Sequence, residues 1–209
     1  MKISLAITVC NELDEIQKLL PFLIDNKRKE DEIVILYDSK NGSKPVEDYL
    51  RANSVETYSN FIWHSYKFDG HFADMKNHLT NLCNGDYIYQ IDADEMVDQY
   101  ILAALPQLLE ANDVDVLRVP RINTVSGLTQ EHINKWGWRV DTNGWVNFPD
   151  YQWRIYRNNA KIKWVNKVHE VLTGYETHAD LPPNKEWCLL HPKDIERQEK
   201  QNSYYETLQ

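Results

Sequence analysis

The chain has 209 residues, of which 42% are hydrophobic, and its formal net charge at pH 7 is −9. This composition supports a buried core and argues against general disorder. The acidic balance excludes nucleic acid and anionic membranes as expected main partners, because both carry negative charge.

The three cysteines, Cys10, Cys83 and Cys188, are far apart in the sequence and form no metal-type or redox-type pair. We interpret them as reduced thiols, which predicts a cytoplasmic-type compartment. The N-terminus lacks a small-residue cleavage site and is interpreted as a strand rather than a signal peptide. No run of about 18 apolar residues occurs, so no membrane span is expected.

Apolar patterns in the first part of the chain predict two strands with a helix between them. Residues 3–9 form a near-continuous apolar run that is typical of a buried parallel strand. A helix with one apolar face follows, and we expect Asn11 to cap it and Pro21 to kink or interrupt it. Residues 32–37 predict a second buried strand, and 38–43 predict a turn at its carboxyl end.

Strands and helices continue to alternate after this turn. A helix is predicted over 72–83, with Gly85 placed to end it, and a third strand over 86–91. A further helix at 98–111 and a strand at 114–119 complete the series. This alternation predicts an α/β fold with a mostly parallel sheet and helices on both faces.

The remainder of the chain has a different character. Residues 121–190 are rich in Trp, Tyr and Asn, with short strand-like pieces at 152–157 and 162–172. We expect antiparallel or irregular structure over the carboxyl edge of the sheet, closed by a polar helix at 194–208. Because no linker separates residues 1–120 from 121–209, a single domain is expected.

The strongest chemical signal is the sequence Asp92-Ala93-Asp94 at the end of the third buried strand. Residues two apart on a strand project to the same side, so both carboxylates can point into the crevice where open α/β sheets bind ligands. Paired carboxylates suit Mg²⁺ or Mn²⁺, which can bridge to a diphosphate. The alternative is a loop whose acids only cap the next helix.

Several motifs occur together in a fixed order. They are Ile7 to Glu12, Tyr37 to Ser39 with Gly42-Ser43, Phe72-Ala73, Lys76-Asn77, Gly85-Asp86, Asp92 to Asp94, Trp164 to Glu170, and Leu190-His191-Pro192. In this order the chain resembles family 2 glycosyltransferases with the GT-A fold, in a lipopolysaccharide-biosynthesis-like branch. The resemblance covers nearly the whole chain. It implies a nucleotide-sugar-binding half over 1–120 and an acceptor half with a closing helix over 121–209.

The resemblance also implies roles for individual residues. Those that would border the base and ribose of the donor are Thr8, Asn11, Glu12 and Asp38. Lys76 would lie near the diphosphate or ribose, and Asp92 would reach the ribose or the metal. Asp94 would ligate the metal, and His191 would be a further contact to metal or diphosphate.

Two carboxylates compete for the role of general base. Glu170 takes the family's base position, next to His169, which we interpret as a positioning residue. Asp150, in a loop after Pro149, is the rival. The structural alternative is that Glu170 only forms a surface ion pair with Lys167 or Arg154.

These features together predict a metal-dependent, inverting glycosyltransferase. The resemblance implies a nucleotide-diphospho-sugar donor, with a UDP-sugar first, and a hydroxyl acceptor on a glycan, a lipid-linked sugar or a protein. One alternative is a haloacid-dehalogenase-type phosphohydrolase, although that class has its acidic motif on the first strand. The other alternative is a non-catalytic carbohydrate-binding protein, which the tryptophans 136, 138, 145 and 153 would suit.

Overall fold

The computed structural model describes residues 1–54 and 61–208. Its strands are β1 (Ile3–Val9), β2 (Glu32–Asp38), β3 (Ile62–Tyr66), β4 (Tyr87–Asp92), β5 (Val116–Ser126), β6 (Val146–Arg157), β7 (Lys163–Val165), β8 (Val171–Thr173), β9 (His178–Asp180) and β10 (Leu189–Asp194). Its helices are α1 (Leu13–Asn26), α2 (Lys44–Ser54), α3 (Phe72–Leu82), α4 (Gln99–Ala111), α5 (Gln130–Trp136) and α6 (Ile195–Leu208).

The main sheet has the strand order β10-β5-β6-β4-β1-β2-β3, and β9 pairs with β5. Strands β4, β1, β2 and β3 are parallel neighbours, whereas β6 runs antiparallel between β4 and β5. The predicted mostly parallel α/β sheet is therefore confirmed. The antiparallel structure expected in the second half enters this sheet as β6, and β7 and β8 form a separate hairpin.

Alternation along β1 divides the core between the two faces of the sheet. Leu5 and Ile7 pack in a cluster with the apolar sides of α1, α2 and α4. Ala6, between them, belongs to a second cluster with α3 and the β7–β8 hairpin. Because successive strand residues point to opposite faces, one apolar run supports helices on both sides.

Helix α1 differs from its prediction at its N-terminal cap, and it has no break at Pro21. It begins at Leu13, and the residue before it is Glu12, so Asn11 is not its cap. The Glu12 carboxylate accepts the backbone N–H groups of Cys10 and Asn11 at 2.8 and 3.0 Å, which satisfies this turn without the Asn11 amide. The helix also continues through Pro21, because its apolar face is buried against the sheet on both sides of that residue.

Gly85 does not end helix α3, contrary to expectation. The C-cap is Cys83. A Cβ atom at Gly85 would lie 2.6 Å from the backbone nitrogen of Ser4, so the glycine allows close approach to β1 instead. Strand β5 is also displaced from its prediction: it begins at Val116 and extends to Ser126.

Five elements were not predicted: the helices α2 and α5 and the strands β3, β9 and β10. Within residues 1–54 and 61–208, no helix has the length and apolar character needed to cross a bilayer.

Candidate active site

A cleft of about 820 Å³ opens at the carboxyl ends of β1, β2 and β4. It is lined from both halves of the chain, because β6, the β7–β8 turn, β10 and α6 contribute side chains alongside the parallel strands. The structure brings these predicted site residues together around it: Thr8, Asn11, Glu12, Asp38, Lys76, Asp92, Asp94, Glu170 and His191. Asp150 does not line this cleft.

Asp92 ends β4 in register with Thr8 of β1, and the Thr8 hydroxyl lies 3.2 Å from one Asp92 oxygen. The other oxygen accepts a hydrogen bond of 2.6 Å from the Arg154 guanidinium. Burial opposes ionisation of this carboxyl, but the positive charges of Arg154, Lys76 and Arg121 outweigh it and hold its pKa below the usual range. Asp92 is therefore an ionised, oriented carboxylate at the edge of the cleft.

Asp94 lies beyond the strand end, where it contacts two cationic or basic groups. Its Oδ2 is 3.3 Å from Nε2 of His191 and 3.2 Å from Nη2 of Arg197. Burial alone would raise the pKa of the Asp94 carboxyl. The hydrogen bond and the charge of His191 outweigh burial and lower this pKa to about 2. Asp94 is consequently a carboxylate at any physiological pH.

A hydrogen-bonded series fixes the His191 ring. Asn123 donates its amide N–H to Asp150 at 2.8 Å, which turns its amide oxygen towards His191. That oxygen lies 2.7 Å from Nδ1 of His191, so Nδ1–H is the donor. Nε2 then faces Asp94, in the orientation that a metal-ligating histidine needs.

Glu170 occupies the turn between β7 and β8, directly before Val171. Its Oε1 lies 2.5 Å from Nζ of Lys76, and the Glu170 side chain is 14% exposed. The observed partner is thus a buried lysine in the cleft and not Lys167 or Arg154, the surface partners considered from the sequence.

Asp150 has a different environment. One of its oxygens accepts from Arg121 at 2.8 Å and from Asn123, and the other accepts from Gln152 at 2.6 Å. Burial raises the pKa of Asp150, but Arg121 and these hydrogen bonds lower it below the usual range. With both oxygens engaged by these donors, Asp150 is suited to orient Asn123 and less suited to accept a proton.

A buried charge network beneath the cleft was missed by sequence reasoning. Glu95, with a fully buried side chain, accepts from Arg154 at 2.6 Å and from Arg121 at 3.0 Å. Its other oxygen accepts the backbone N–H of Asp92 at 3.1 Å, which fixes the turn after β4. The available signal was Arg154 itself, since a charge within an apolar strand needs a buried partner.

Two of the four tryptophans singled out from the sequence, Trp138 and Trp153, line the cleft. Trp136 packs on Trp138 with ring centroids 4.6 Å apart, and Trp145 packs on Phe148 at 4.8 Å. Of these four tryptophans, Trp138 and Trp153 therefore present their side chains to the cleft.

The family model described as Glycosyl transferase family 2 matches residues 4–170, a segment that contains both Asp92-Ala93-Asp94 and Glu170. The chain belongs to glycosyl transferase family 2. Among curated protein sequences, no significant match is found.

Solved structures share the fold of this family 2 member. The structure of S. aureus TarS 1–349 has a TM-score of 0.64 at 14% identity, and the match covers 92% of this chain and 60% of that one. The same fragment in complex with UDP-GlcNAc gives 0.64 at 15% identity, covering 92% and 59% of the two chains. The chain thus spans about three fifths of the TarS fragment, and the GT-A-like fold expected from the sequence is confirmed.

The family resemblance implies a divalent metal, and two side chains of this family 2 member fit one. The Asp94 carboxylate and Nε2 of His191 converge in the cleft, and loss of the Nε2 proton would free a lone pair for the metal. Within residues 1–54 and 61–208, no group of three or more acidic, His or Cys side chains could enclose an ion. Such two-ligand sites suit Mg²⁺ or Mn²⁺, because substrate phosphates and water complete the coordination shell.

We expect Arg154→Met to destabilise the fold by about 3–5 kcal/mol, since removing one partner of a buried ion pair leaves an uncompensated charge. Arg154 is 3% exposed, and Glu95 would keep only Arg121. Urea unfolding at 25 °C measures the loss. The matched control is Arg118→Met, whose pair with Asp180 is about one third exposed, and a change under about 1 kcal/mol is expected there. Equal losses of unfolding free energy in the two variants would contradict the assignment of Arg154 to a buried charge network.

Proposed function

We propose that this family 2 member transfers a sugar from a nucleoside-diphosphate donor to a hydroxyl acceptor, with a divalent metal and with inversion at the anomeric carbon. The observation that carries the proposal is the separation of two carboxylate functions in one cleft. Asp94 meets His191 at one place in the cleft, whereas Glu170 meets Lys76 at another. A transferase of this kind needs one acidic site for the leaving diphosphate and another carboxylate for the acceptor.

The donor side is formed by the turns after β1 and β2. Asp38 accepts the backbone N–H groups of Lys40 and Asn41 at 2.9 and 3.2 Å, and Glu12 fixes the turn after β1 in the same way. Both turns line the cleft, with Thr8 beside them. The TarS fragment of the same fold binds UDP-GlcNAc, which supports a UDP-sugar as the proposed donor here.

Asp94 and His191 would hold the metal, and Asp92 would orient the ribose or the same ion. When bound, the metal stabilises the negative charge that develops on the departing diphosphate. Lys193 and Arg197, which line the same part of the cleft, add positive charge around those phosphates. This arrangement offsets the repulsion that a chain of net charge −9 would exert on a nucleoside diphosphate.

The chemical step is one direct displacement. Glu170 accepts the proton of the acceptor hydroxyl as the acceptor oxygen forms its bond to the anomeric carbon. The bond between that carbon and the diphosphate oxygen breaks on the opposite face, and the diphosphate leaves with the electron pair. A single displacement inverts the configuration at the anomeric carbon.

The compartment and the acceptor are proposed more broadly. All three cysteines are unpaired, and Cys83 and Cys188 are buried, which agrees with a reducing, cytoplasmic location. Trp138 and Trp153 give the acceptor side flat apolar surfaces suited to the face of a sugar ring, so a glycan-bearing acceptor is favoured.

A thermal-shift experiment tests the metal-linked donor site. We expect UDP and Mn²⁺ together to raise the melting temperature by more than the sum of their separate effects, because each completes the other's site. Saturation at about 100 times Kd corresponds to about 2.7 kcal/mol of stabilisation. The control is Asp94→Asn, which should retain a response to UDP alone and lose the added response to the pair. The proposal would be contradicted if UDP in excess EDTA raised the melting temperature of the wild type as much as UDP with Mn²⁺ does.

A further inference from the structure

Lys76 and Asn77 lie next to each other on α3, and both contact the β7–β8 hairpin. Lys76 is 6% exposed, and its Nζ lies 2.5 Å from Oε1 of Glu170 and 4.7 Å from the centroid of the Trp164 ring. Asn77 donates its amide N–H to the backbone oxygen of Trp164 at 2.9 Å, and its amide oxygen accepts the Trp164 backbone N–H at 2.9 Å. The basic–Asn pair therefore engages the hairpin from one helix turn.

The hairpin has little internal support. Its two strands pair through only three residues each, from Lys163–Thr173 to Val165–Val171. The turn between them places Asn166 and His169 at φ of 76° and 54°, a left-handed backbone that non-glycine residues rarely adopt. Such a turn persists only where surrounding contacts hold it.

Helix α3 supplies those contacts at three points. Besides the ties from Lys76 and Asn77, the backbone N–H of Phe72 donates to the backbone oxygen of Lys167 at 3.0 Å. The Phe72 contact stabilises the middle of the turn. Asn77 binds β7, and Lys76 binds the carboxylate of Glu170. Helix α3 thus contacts the first strand of the hairpin, its turn and the Glu170 side chain.

We propose that Lys76 is a positioning residue for Glu170, and that the pair Lys76-Asn77 clamps the hairpin bearing the general base. The inference rests on the proposed function of Glu170. It differs from the role that the family resemblance implies for Lys76, which is contact with the diphosphate or ribose of the donor. An ammonium group held in a desolvated cleft fixes a carboxylate through a charge-assisted hydrogen bond, and its ring contact with Trp164 in turn fixes the lysine.

The two roles of Lys76 give different kinetic results. A positioning role predicts that Lys76→Met lowers kcat by about 10²-fold, because a displacement of about 1 Å in a reacting group costs that much. The Kd for UDP with Mn²⁺ should stay within about twofold of the wild type, since the base does not touch the donor phosphates. Lys76→Arg, which keeps the charge, should recover part of the lost kcat.

The test compares Lys76→Met, Lys76→Arg, Glu170→Gln and the double variant Lys76→Met/Glu170→Gln. Because Lys76 acts through Glu170, the double variant should turn over no more slowly than Glu170→Gln alone. Hydrogen–deuterium exchange of peptides spanning 163–173 should also rise in Lys76→Met, while peptides spanning 32–38 remain unchanged as the internal control. The exchange readout is independent of turnover and donor identity.

Three outcomes would overturn the inference while leaving the proposed function intact. One is a weaker Kd for UDP in Lys76→Met with kcat unchanged, which would assign Lys76 to the donor. Another is an additive loss in the double variant, and the third is unchanged exchange over 163–173. Normal turnover of Glu170→Gln would instead reject Glu170 as the base, and with it both the proposed base and its positioning.

Discussion

Asp94→Ala is expected to lower turnover by on the order of 10³-fold. In the proposed mechanism the metal would stabilise the departing diphosphate by several kcal/mol, and each ~1.4 kcal/mol corresponds to about tenfold in rate. Asp94 lies within 3.3 Å of both His191 and Arg197, so its loss would remove a carboxylate ligand from the proposed metal site. Steady-state transfer from a UDP-sugar with saturating Mn²⁺ measures the effect.

Two variants separate this loss from general damage. Asp94→Asn retains the shape of the side chain and removes its charge, so it should lose nearly as much activity as Asp94→Ala. Asp113→Ala removes an acid whose side chain is 97% exposed and which does not line the cleft, so its turnover should equal that of the wild type. Full wild-type turnover in excess chelator would reject the metal requirement directly.

The parallel half of the fold could be predicted because its signals are local. The apolar runs of β1 and β2 are buried along nearly their whole length, and such runs have few alternatives to a central strand. Strand β3 gives no such signal, because it lies at the sheet edge and all of its residues are exposed or half-buried. Helix α2 buries only Val46 and Leu50, so its apolar face is too narrow to stand out.

The site divides in a similar way. Asp92 and Asp94 follow a predictable strand, and the carboxyl ends of parallel strands meet at one edge, so their place in the cleft follows from topology. The network of Glu95, Arg121 and Arg154 joins three elements that are adjacent only in the folded sheet. No spacing in the sequence encodes those pairings.

The choice between the two candidate bases also depends on contacts that only the fold creates. The sequence leaves both candidates open, because Glu170 and Asp150 both come after β4 in the chain. In the structure donors hold both oxygens of Asp150, whereas Glu170 lines the cleft beside Lys76. This difference is the physical basis for proposing Glu170 as the base and Asp150 as an orienting residue.

Asp150→Asn is therefore expected to affect the metal site rather than proton transfer. It removes the charge that holds Arg121 and changes the acceptor for the Asn123 amide, which sets the orientation of His191. Loss of such an outer partner typically weakens metal affinity by about 10–100-fold. Titration of activity with Mn²⁺ should show that shift, with turnover recovering at high Mn²⁺.

Glu170→Gln is expected to lower turnover by about 10²–10⁴-fold, the usual contribution of a positioned acid–base group. The amide keeps the size of the side chain and can still contact Lys76, but it cannot accept the proton of the acceptor hydroxyl. UDP affinity and the Mn²⁺ dependence should remain unchanged, because Glu170 lies apart from the contacts of Asp94 and His191. The matched control is Glu176→Gln, an exposed glutamate six residues along the chain that does not line the cleft, and it should retain wild-type turnover. If Glu170→Gln turns over normally while high Mn²⁺ fails to restore Asp150→Asn, the base is Asp150, and its bonds to Arg121 and Gln152 must open when the acceptor binds.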